Sequence, residues 1–277
     1  MTLDDIIINA LNEDLGDGDH TSLSCISKDK TGRAKLQVKE EGILAGIDVA
    51  RKVFNKVDPT IVFNQLMNDG DKIIPGDIAF TVEGNVISLL SSERLALNFM
   101  QRMSGIATST NKMVKLLDGL NTKLLDTRKT TPNLRMLEKM AVKLGGGENH
   151  RFGLHDMIMI KDNHVDFAGG IVNAITNAKN YLKEKNKNLK IEIEVRNFDE
   201  LNQVLNYGNV NRIMLDNFNT DDLRKAVELI DGRYETEASG GITTETLRKY
   251  AETGVDYISV GALTHHIKSL DLSLKAF

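Results

Sequence analysis

The second half of the chain alternates short apolar segments with longer amphipathic segments, and this alternation constrains the fold more than any other feature. Six apolar segments are predicted strands: 122–125, 157–160, 190–195, 212–215, 234–238 and 257–260. Segments with helical spacing of apolar residues separate them, among them 170–183, 199–206, 220–230 and 243–253. This order predicts βαβ units and a parallel sheet.

The last four predicted strands begin about 22 residues apart, which is the repeat length of a (β/α) barrel. Six strands are fewer than the eight of a closed barrel. An open, doubly wound sheet is the structural alternative. That fold usually carries a GxGxxG or GxxxxGK[ST] loop after an early strand, and the sequence contains neither.

The first half of the chain lacks the regular alternation of strands and helices, and its pattern predicts a separate domain. A helix is expected over Leu3–Leu15, and alternating segments at 33–38 and 77–82 predict strands of an antiparallel sheet. A long run with helical spacing covers 91–117, and Gly105 is expected to break it.

Composition excludes several classes of protein. A formal charge of -4 argues against a nucleic-acid coat or a polybasic membrane binder, and no apolar stretch approaches the roughly 20 residues that span a bilayer. The acidic start, MTLDDIIINALNEDLG, is expected to be that of a mature cytoplasmic protein. The single Cys25 excludes an intramolecular disulfide framework, and the spacing of His20, His155 and His164 does not support a zinc site.

Polar residues and glycines follow each of the six predicted strands at its C-terminal end. They are Asp126, Thr127, Arg128 and Lys129 after the first, Lys161 after the second, Glu194 and Arg196 on the third, Asp216 and Asn217 on the fourth, Ser239, Gly240 and Gly241 on the fifth, and Gly261 and Ala262 on the sixth. The carboxyl ends of barrel strands face one mouth, where barrel enzymes place their active sites. We therefore predict an active site there.

Four cations converge on this predicted mouth, namely Arg128, Lys129, Arg151 and Lys161, with His150 beside them. Arginine forks bind carboxylates and phosphates through two hydrogen bonds, whereas lysine supplies a point charge. Because the chain as a whole is acidic, this local cluster predicts an anionic substrate.

The remaining residues predict a phosphate and sugar site. Ser239–Gly241 and Gly261–Ala262 offer backbone N–H groups with little steric cover, as phosphate cradles after the last barrel strands do. Glu194 and Asp216 are candidates to bind sugar hydroxyls or to hold Mg²⁺ with its waters.

Structural interpretations of the same residues stay open at this point. For Asp126 and Asn217, a structural role as a solvated loop residue or a helix cap is as well supported as a functional one. Thr130–Thr131 would cap a helix that begins at Pro132. Two other kinds of protein are alternatives. One is a Schiff-base aldolase that uses Lys161, and the other is an anion-binding protein without turnover.

Motifs along nearly the whole chain resemble those of the quinolinate phosphoribosyltransferase family. In order, these are NEDLGDGDHTS (12–22), GILAG (42–46), ERLALNFMQRMSGIAT (93–108), DTRKTTP (126–132), ENHR (148–151), MIKDNH (159–164), IEVR (193–196), MLDN (214–217), EASGGI (237–242) and SVGALTH (259–265).

The resemblance implies an α/β fold with an N-terminal α/β sandwich domain, 1–109, and an incomplete, seven-stranded (β/α) barrel, 110–277. It also implies that residues 268–277 pack back on the sandwich domain. The implied assembly is a homodimer, or a hexamer built from dimers, in which Arg94 of one subunit completes the site of the other.

The resemblance further implies transfer of phosphoribosyl from 5-phosphoribosyl 1-diphosphate to quinolinate, with decarboxylation, in de novo NAD biosynthesis. Carried over by position, Arg128, Arg151 and Lys161 clamp the two carboxylates, aided by His150 and by the partner subunit's Arg94. The implied catalytic residues are Lys129, Lys161, Glu194 and Asp216. Thr127, Ser239, Gly240, Gly241, Gly261 and Ala262 complete the implied substrate site.

Mg²⁺ is the implied cofactor, held mainly through diphosphate and water near Glu194 and Asp216. A sister enzyme that uses nicotinate or another heteroaromatic acid is the nearest alternative. The surplus of arginine and lysine favours the dicarboxylate, because a monoacid would leave charges unpaired.

Overall fold

The structure is a computed structural model that describes residues 2–277. Up to residue 115 the elements are α1 (Leu3–Leu15), α2 (His20–Cys25), β1 (Thr31–Val38), β2 (Gly42–Ile43), α3 (Ile47–Val57), β3 (Val62–Gln65), β4 (Lys72–Ile73), β5 (Ile78–Asn85) and α4 (Val86–Lys115). The elements that follow are β6 (Lys123–Leu125), α5 (Arg135–Leu144), β7 (Ile158–Ile160), α6 (Asp162–Ala168), α7 (Ile171–Glu184), β8 (Ile191–Val195), α8 (Phe198–Tyr207), β9 (Arg212–Asp216), α9 (Thr220–Ile230), β10 (Glu235–Ser239), α10 (Leu247–Ala251), β11 (Tyr257–Ser259), α11 (Ala262–His265) and β12 (Leu272–Ala276).

These elements form two compact units, and the chain passes between them more than once. The first unit contains the described residues up to Asn111 together with 130–146 and 262–277. The second contains 112–129 and 147–261.

An antiparallel sheet of four strands, in the order β12-β1-β5-β3, is the centre of the first unit. Phe80 on β5 and Phe54 on α3 are almost fully buried, with ring centroids 6.1 Å apart. The helix predicted at Leu3–Leu15 is α1. Thr2 and Asp5 cap its first turn reciprocally, each side chain accepting a hydrogen bond from the backbone N–H of the other.

Helix α4 runs for 30 residues through Gly105, so the prediction of a break at this glycine is wrong. The glycine is needed for packing instead. A Cβ at position 105 would lie 2.3 Å from the carbonyl oxygen of Lys268, which belongs to the same unit. Gly105 therefore lets the backbone of the C-terminal segment approach the helix closely.

A parallel sheet of six strands, in the order β6-β11-β10-β9-β8-β7, is the centre of the second unit. All six strands predicted from the sequence are present. Residues that share one face of these strands, such as Ile193, Leu215 and Ala238, are fully buried. Strands covered in this way read as apolar in sequence, which is why the pattern was visible.

The barrel is not closed, because β6 and β7 are the two edges of the sheet. The resemblance implied seven strands, and the structure has six. At the β6 edge, Leu125 forms a single parallel bridge with Glu148. One bridge does not make a strand, so the count of seven is corrected to six.

No helix among residues 2–277 is long and apolar enough to cross a membrane.

Candidate active site

Strand register places four of the predicted site residues on one face of the parallel sheet. Asp216 at the end of β9 pairs with Ser239 at the end of β10, and Met159 of β7 pairs with Glu192 of β8. Side chains alternate between the two faces of a strand. Glu194, two residues after Glu192, pairs with Met214 of β9, which lies two residues before Asp216. Lys161, two residues after Met159, and Glu194 therefore share the face that carries Asp216 and Ser239.

The charged side chains at the carboxyl end of the parallel sheet influence one another's pKa values. Burial raises the pKa of the half-buried Glu194, and the carboxylate of Asp216 raises it further, whereas Lys161 opposes the rise. These effects require Lys161, Glu194 and Asp216 to lie close together. The structure thus brings a cation and two acids to the carboxyl end of the sheet.

The chain turns sharply directly after β10, at Gly240 and Gly241, and it does so against Asn217, the residue that follows the neighbouring parallel strand β9. The backbone N–H of Asn217 donates to the carbonyl oxygen of Ser239, at 2.9 Å, and its side-chain amide donates to Asp216, at 2.6 Å. Gly240 has φ +100°, and a Cβ there would lie 2.2 Å from Oδ1 of Asn217. Gly241 has φ +60° with open space around it. Only glycine fits at 240, and both glycines leave the backbone exposed to a ligand.

The two arginines of the predicted carboxylate clamp lie near each other. Burial lowers the pKa of the Arg151 guanidinium, and the positive charge of Arg128 lowers it further. Nη1 of Arg151 donates to the carbonyl oxygen of Met157, at 3.3 Å. The loop that carries Arg151 is fixed by Asp156, whose carboxylate accepts hydrogen bonds from the backbone N–H groups of Phe152 and Gly153.

A cavity of about 370 Å³ opens beside this loop. Arg151 and His164 contribute polar groups to its lining, and Leu154, Met157 and Met159 contribute apolar ones. His164 is held in place because its Nδ1 accepts a hydrogen bond from the backbone N–H of Lys161, at 2.9 Å. The cavity therefore combines apolar walls with an arginine.

His150 points into the interior of the second unit. Its Nε2 lies 3.1 Å from Glu192 Oε2 and 3.3 Å from Glu237 Oε2, and both glutamates are fully buried. Its Nδ1 accepts a hydrogen bond from the backbone N–H of Arg151, at 2.7 Å. Its own backbone N–H donates to the buried Asp126, at 2.8 Å. The site is therefore connected to a buried charged cluster beneath it.

The protons of this cluster are shared. Burial favours the neutral imidazole, but the carboxylates outweigh it and raise the pKa of His150 to about 9. Burial and the charge of Glu237 also raise the pKa of Glu192. Groups this close titrate together. Because Nδ1 accepts from Arg151, the protons lie on Nε2 and on the carboxyl groups.

Arg212 of β9 balances the cluster. Its Nη1 lies 3.0 Å from Glu237 Oε2 and 3.9 Å from Glu192 Oε2, and its guanidinium stacks on the ring of Tyr257, 4.0 Å from the centroid. In the fully buried part of the cluster, the two carboxylates are offset by the guanidinium and the one additional proton, and Arg212 also pairs with the partly exposed Glu235, 3.1 Å away. A neutral cluster is the arrangement that a buried site tolerates best.

The other predicted site residues lie as follows. Thr127, which is half-buried, precedes the exposed Arg128 and Lys129, and its hydroxyl accepts a hydrogen bond from the backbone N–H of Lys129, at 3.0 Å. Gly261 follows β11 in the second unit. Arg94, exposed on α4, and Ala262, the first residue of α11, belong to the first unit.

Sequence reasoning did not select Glu192, Arg212 or Glu237. The segments IEIEV and RIML have the pattern of buried strands, and the predicted site residues lie at or after the strand ends instead. A signal was nevertheless present. Charged residues at alternating positions within otherwise apolar, buried strands must face one another inside the sheet.

Comparison with known proteins identifies the family. The family model described as quinolinate phosphoribosyl transferase, C-terminal domain, matches residues 106–275, and the model of the N-terminal domain of the same family matches 19–104. The chain belongs to the quinolinate phosphoribosyltransferase family.

Individual relatives agree over the full length of the chain. A mitochondrial quinolinate phosphoribosyltransferase [decarboxylating] 2b of Nicotiana tabacum is 45% identical, over 99% of this chain and 82% of its own. A probable nicotinate-nucleotide pyrophosphorylase [carboxylating] of Bacillus subtilis is 44% identical, over 95% and 89%. The structure of the nicotinate-nucleotide pyrophosphorylase from Francisella tularensis superimposes with a TM-score of 0.93 at 43% identity, covering 100% of this chain and 98% of that one.

Proposed function

We propose that the protein transfers phosphoribosyl from 5-phosphoribosyl 1-diphosphate to quinolinate and releases CO2, forming nicotinate mononucleotide and diphosphate. The observation that carries the proposal is the register that puts Lys161, Glu194, Asp216 and Ser239 on one face at the carboxyl end of the sheet. Membership of the quinolinate phosphoribosyltransferase family supports the same reaction.

Arg128, Arg151 and Lys161 bind the acceptor in this proposal. Quinolinate carries two adjacent carboxylates on a flat ring, and arginine forks recognise carboxylates through paired hydrogen bonds. Burial and then the positive charge of Arg128 lower the pKa of Arg151, and an anion between the two guanidinium groups relieves their repulsion. The apolar lining of the neighbouring cavity, including Met159, suits an aromatic ring.

The ribosyl donor binds at the carboxyl end of the same sheet, at the ends of β8, β9 and β10. Backbone N–H groups at Gly240 and Gly241 have little steric cover and bind the 5-phosphate, with the Ser239 hydroxyl beside them. Glu194 and Asp216 accept hydrogen bonds from the ribose hydroxyls. This places C1 of the ribose between the acids and the cations that hold the acceptor.

The residues present fit Mg²⁺ in its expected place. Glu194 and Asp216 supply carboxylate oxygens, the ligand type that Mg²⁺ prefers. Burial and then the charge of Asp216 raise the pKa of Glu194, and a divalent cation beside the two acids would offset both effects. When bound with diphosphate and water, Mg²⁺ offsets the charge of the leaving group. The two carboxylates would lie beside it.

The chain's own groups favour each step of the reaction. The ring nitrogen of quinolinate forms a bond to C1 while the bond from C1 to the diphosphate oxygen breaks, and positive charge develops on the ribose. The negative charges of Glu194 and Asp216 stabilise that centre. The resulting pyridinium then accepts the electron pair released when the C2 carboxylate leaves as CO2, and C2 takes up a proton. Lys129 and Lys161 stabilise the negative charge of the departing diphosphate, the one anion that leaves.

A product assay tests the proposal. Purified protein is incubated with 5-phosphoribosyl 1-diphosphate, Mg²⁺ and either quinolinate or nicotinate, and nicotinate mononucleotide and CO2 are measured. Product from quinolinate alone is expected. Product from nicotinate alone would overturn the dicarboxylate assignment of Arg128, Arg151 and Lys161. No product from either acid would overturn the proposal, and borohydride trapping at Lys161 would then test the aldolase alternative.

We further propose that the active form is a homodimer, or a hexamer of dimers, in which the exposed Arg94 of one subunit enters the other's site. Mixing an Arg94→Ala variant with a Lys161→Ala variant tests this. Mixed dimers contain one intact site, so activity should return on mixing. A mixture as inactive as its components would contradict an action of Arg94 across the interface.

The cytoplasm remains the predicted location of the protein.

A further inference from the structure

The reaction proposed above leaves Glu192 and Glu237 without a role, although both are fully buried. Buried carboxylates are costly unless they are hydrogen-bonded or paired. Among residues 2–277, neither oxygen of Glu192 has a well-directed hydrogen-bond donor, and its nearest basic atom is Nε2 of His150, at 3.1 Å. The closeness of Glu192 and Glu237 to this one nitrogen requires an explanation.

The two sides of the imidazole face different partners. Nε2 lies between the two glutamates, and Nδ1 accepts the backbone N–H of Arg151, at 2.7 Å. The hydrogen bond at one ring nitrogen decides which nitrogen carries the proton. The negative charge of the carboxylate pair, 3.1 and 3.3 Å away, favours a proton on Nε2, which leaves the lone pair of Nδ1 available to Arg151.

Strand pairing makes this arrangement rigid. Glu192 on β8 and Glu237 on β10 both flank β9, whose Arg212 lies 3.0 Å from Glu237. Arg212 also donates to Glu235 through Nε, at 3.2 Å. The glutamates are therefore fixed by three neighbouring strands, and the imidazole transmits their position to the loop that carries Arg151.

We propose that Glu192 and Glu237 are positioning residues for the acceptor site: they hold His150 in the tautomer protonated at Nε2, and its Nδ1 then holds the main chain of Arg151 where the guanidinium meets a carboxylate of the acceptor. This inference rests on the function proposed above. Under this proposal, Glu192 and Glu237 affect the binding of quinolinate and do not affect the binding of 5-phosphoribosyl 1-diphosphate.

Glutamine substitutions test the inference through separate KM values for the two substrates. Glu192→Gln with Glu237→Gln removes both carboxylates, and amide N–H groups can then donate to Nε2 and move the proton to Nδ1. The KM for quinolinate is expected to rise about tenfold, as for loss of one buried hydrogen bond, with the KM for 5-phosphoribosyl 1-diphosphate within about twofold. Equal rises in both values, or no rise, would overturn the inference.

Glu235→Gln is the matched control. Glu235 is on the same strand as Glu237 and hydrogen-bonds to Arg212, but the hydrogen bonds and ion pairs of the described residues do not connect it to His150. The KM of the Glu235→Gln variant for quinolinate should equal that of the wild type. A rise as large as that of the double variant would show that disturbing Arg212 is sufficient and would contradict a specific role for the glutamate pair.

The tautomer itself is measured without activity, by nitrogen NMR of the wild-type protein labelled at its six histidines. The His150 signals are those lost in His150→Asn. At neutral pH a protonated Nε2 and a bare Nδ1 are expected. A proton on Nδ1 would overturn the inference even if the double variant failed to fold. The NMR measurement does not depend on turnover. Failure of the proposed reaction, seen as no product from the wild type, is therefore distinguishable from failure of the proposed tautomer, seen as a proton on Nδ1.

Discussion

Arg102 and Glu138 form a half-buried ion pair in the first unit, in which Nε of the arginine donates to Oε1 of the glutamate, at 2.8 Å. Only 1% of the Glu138 side chain is exposed. The same guanidinium donates to the hydroxyl of Thr131 and to the carbonyl oxygen of Thr264, and Glu138 accepts the backbone N–H of Thr131. One ion pair therefore ties together three segments of the unit.

Glu138→Ala should lower the free energy of unfolding by about 3 kcal/mol, because it leaves the Arg102 guanidinium without its carboxylate and frees the N–H of Thr131. Chemical denaturation measures this value. Glu228→Ala, at an exposed position of α9, is the control and should change stability by less than about 0.5 kcal/mol. Equal effects of the two substitutions would contradict a structural role for the pair.

Gly240→Ala should weaken binding of the ribosyl donor more than Gly241→Ala. Both positions have positive φ, but only at 240 would the new Cβ collide with a neighbour, Asn217. The collision displaces the turn that presents the backbone N–H groups to the phosphate. The KM for 5-phosphoribosyl 1-diphosphate in the two variants is the measurement. A larger rise for Gly241→Ala would place the phosphate elsewhere.

Arg151→Lys should raise the KM for quinolinate by about tenfold or more while leaving the charge of the site unchanged. Lysine lacks the planar fork that holds a carboxylate through two hydrogen bonds, and it cannot reproduce the contact with Met157. Steady-state kinetics with each substrate varied in turn provide the test. Arg224→Lys, at an exposed position on α9, should behave as the wild type.

Stability should fall as the pH rises through about 9. In the folded protein the cluster around His150, whose pKa is raised from 6.5 to about 9, keeps one additional proton, which Nε2 and the two carboxyl groups share while Nδ1 stays bare. This proton stabilises the fold fully below pH 6.5 and is lost as the pH passes about 9. The loss corresponds to at most about 3 kcal/mol. Unfolding free energies between pH 6 and 10 would measure it. The double glutamine variant lacks the cluster and should show a flatter profile over that range.

The sequence by itself determined the six parallel strands and several helices, and it predicted that the carboxyl end of the sheet carries the chemistry. Both α1 and α9 begin and end where predicted, and the six parallel strands lie within two residues of their predicted limits. Periodicity and capping are local properties, which a sequence displays directly. The residues after each strand could be found for the same reason, because their position follows from the order of the strands.

Tertiary structure alone decided which charges meet. Glu192 and Glu237 lie on strands separated by β9, and only the register of three strands brings both to His150. Gly105 read as a helix break because the close approach of Lys268 comes from a distant part of the chain. Contacts of this kind depend on strand pairing and backbone packing between remote segments, and a local pattern carries no record of them.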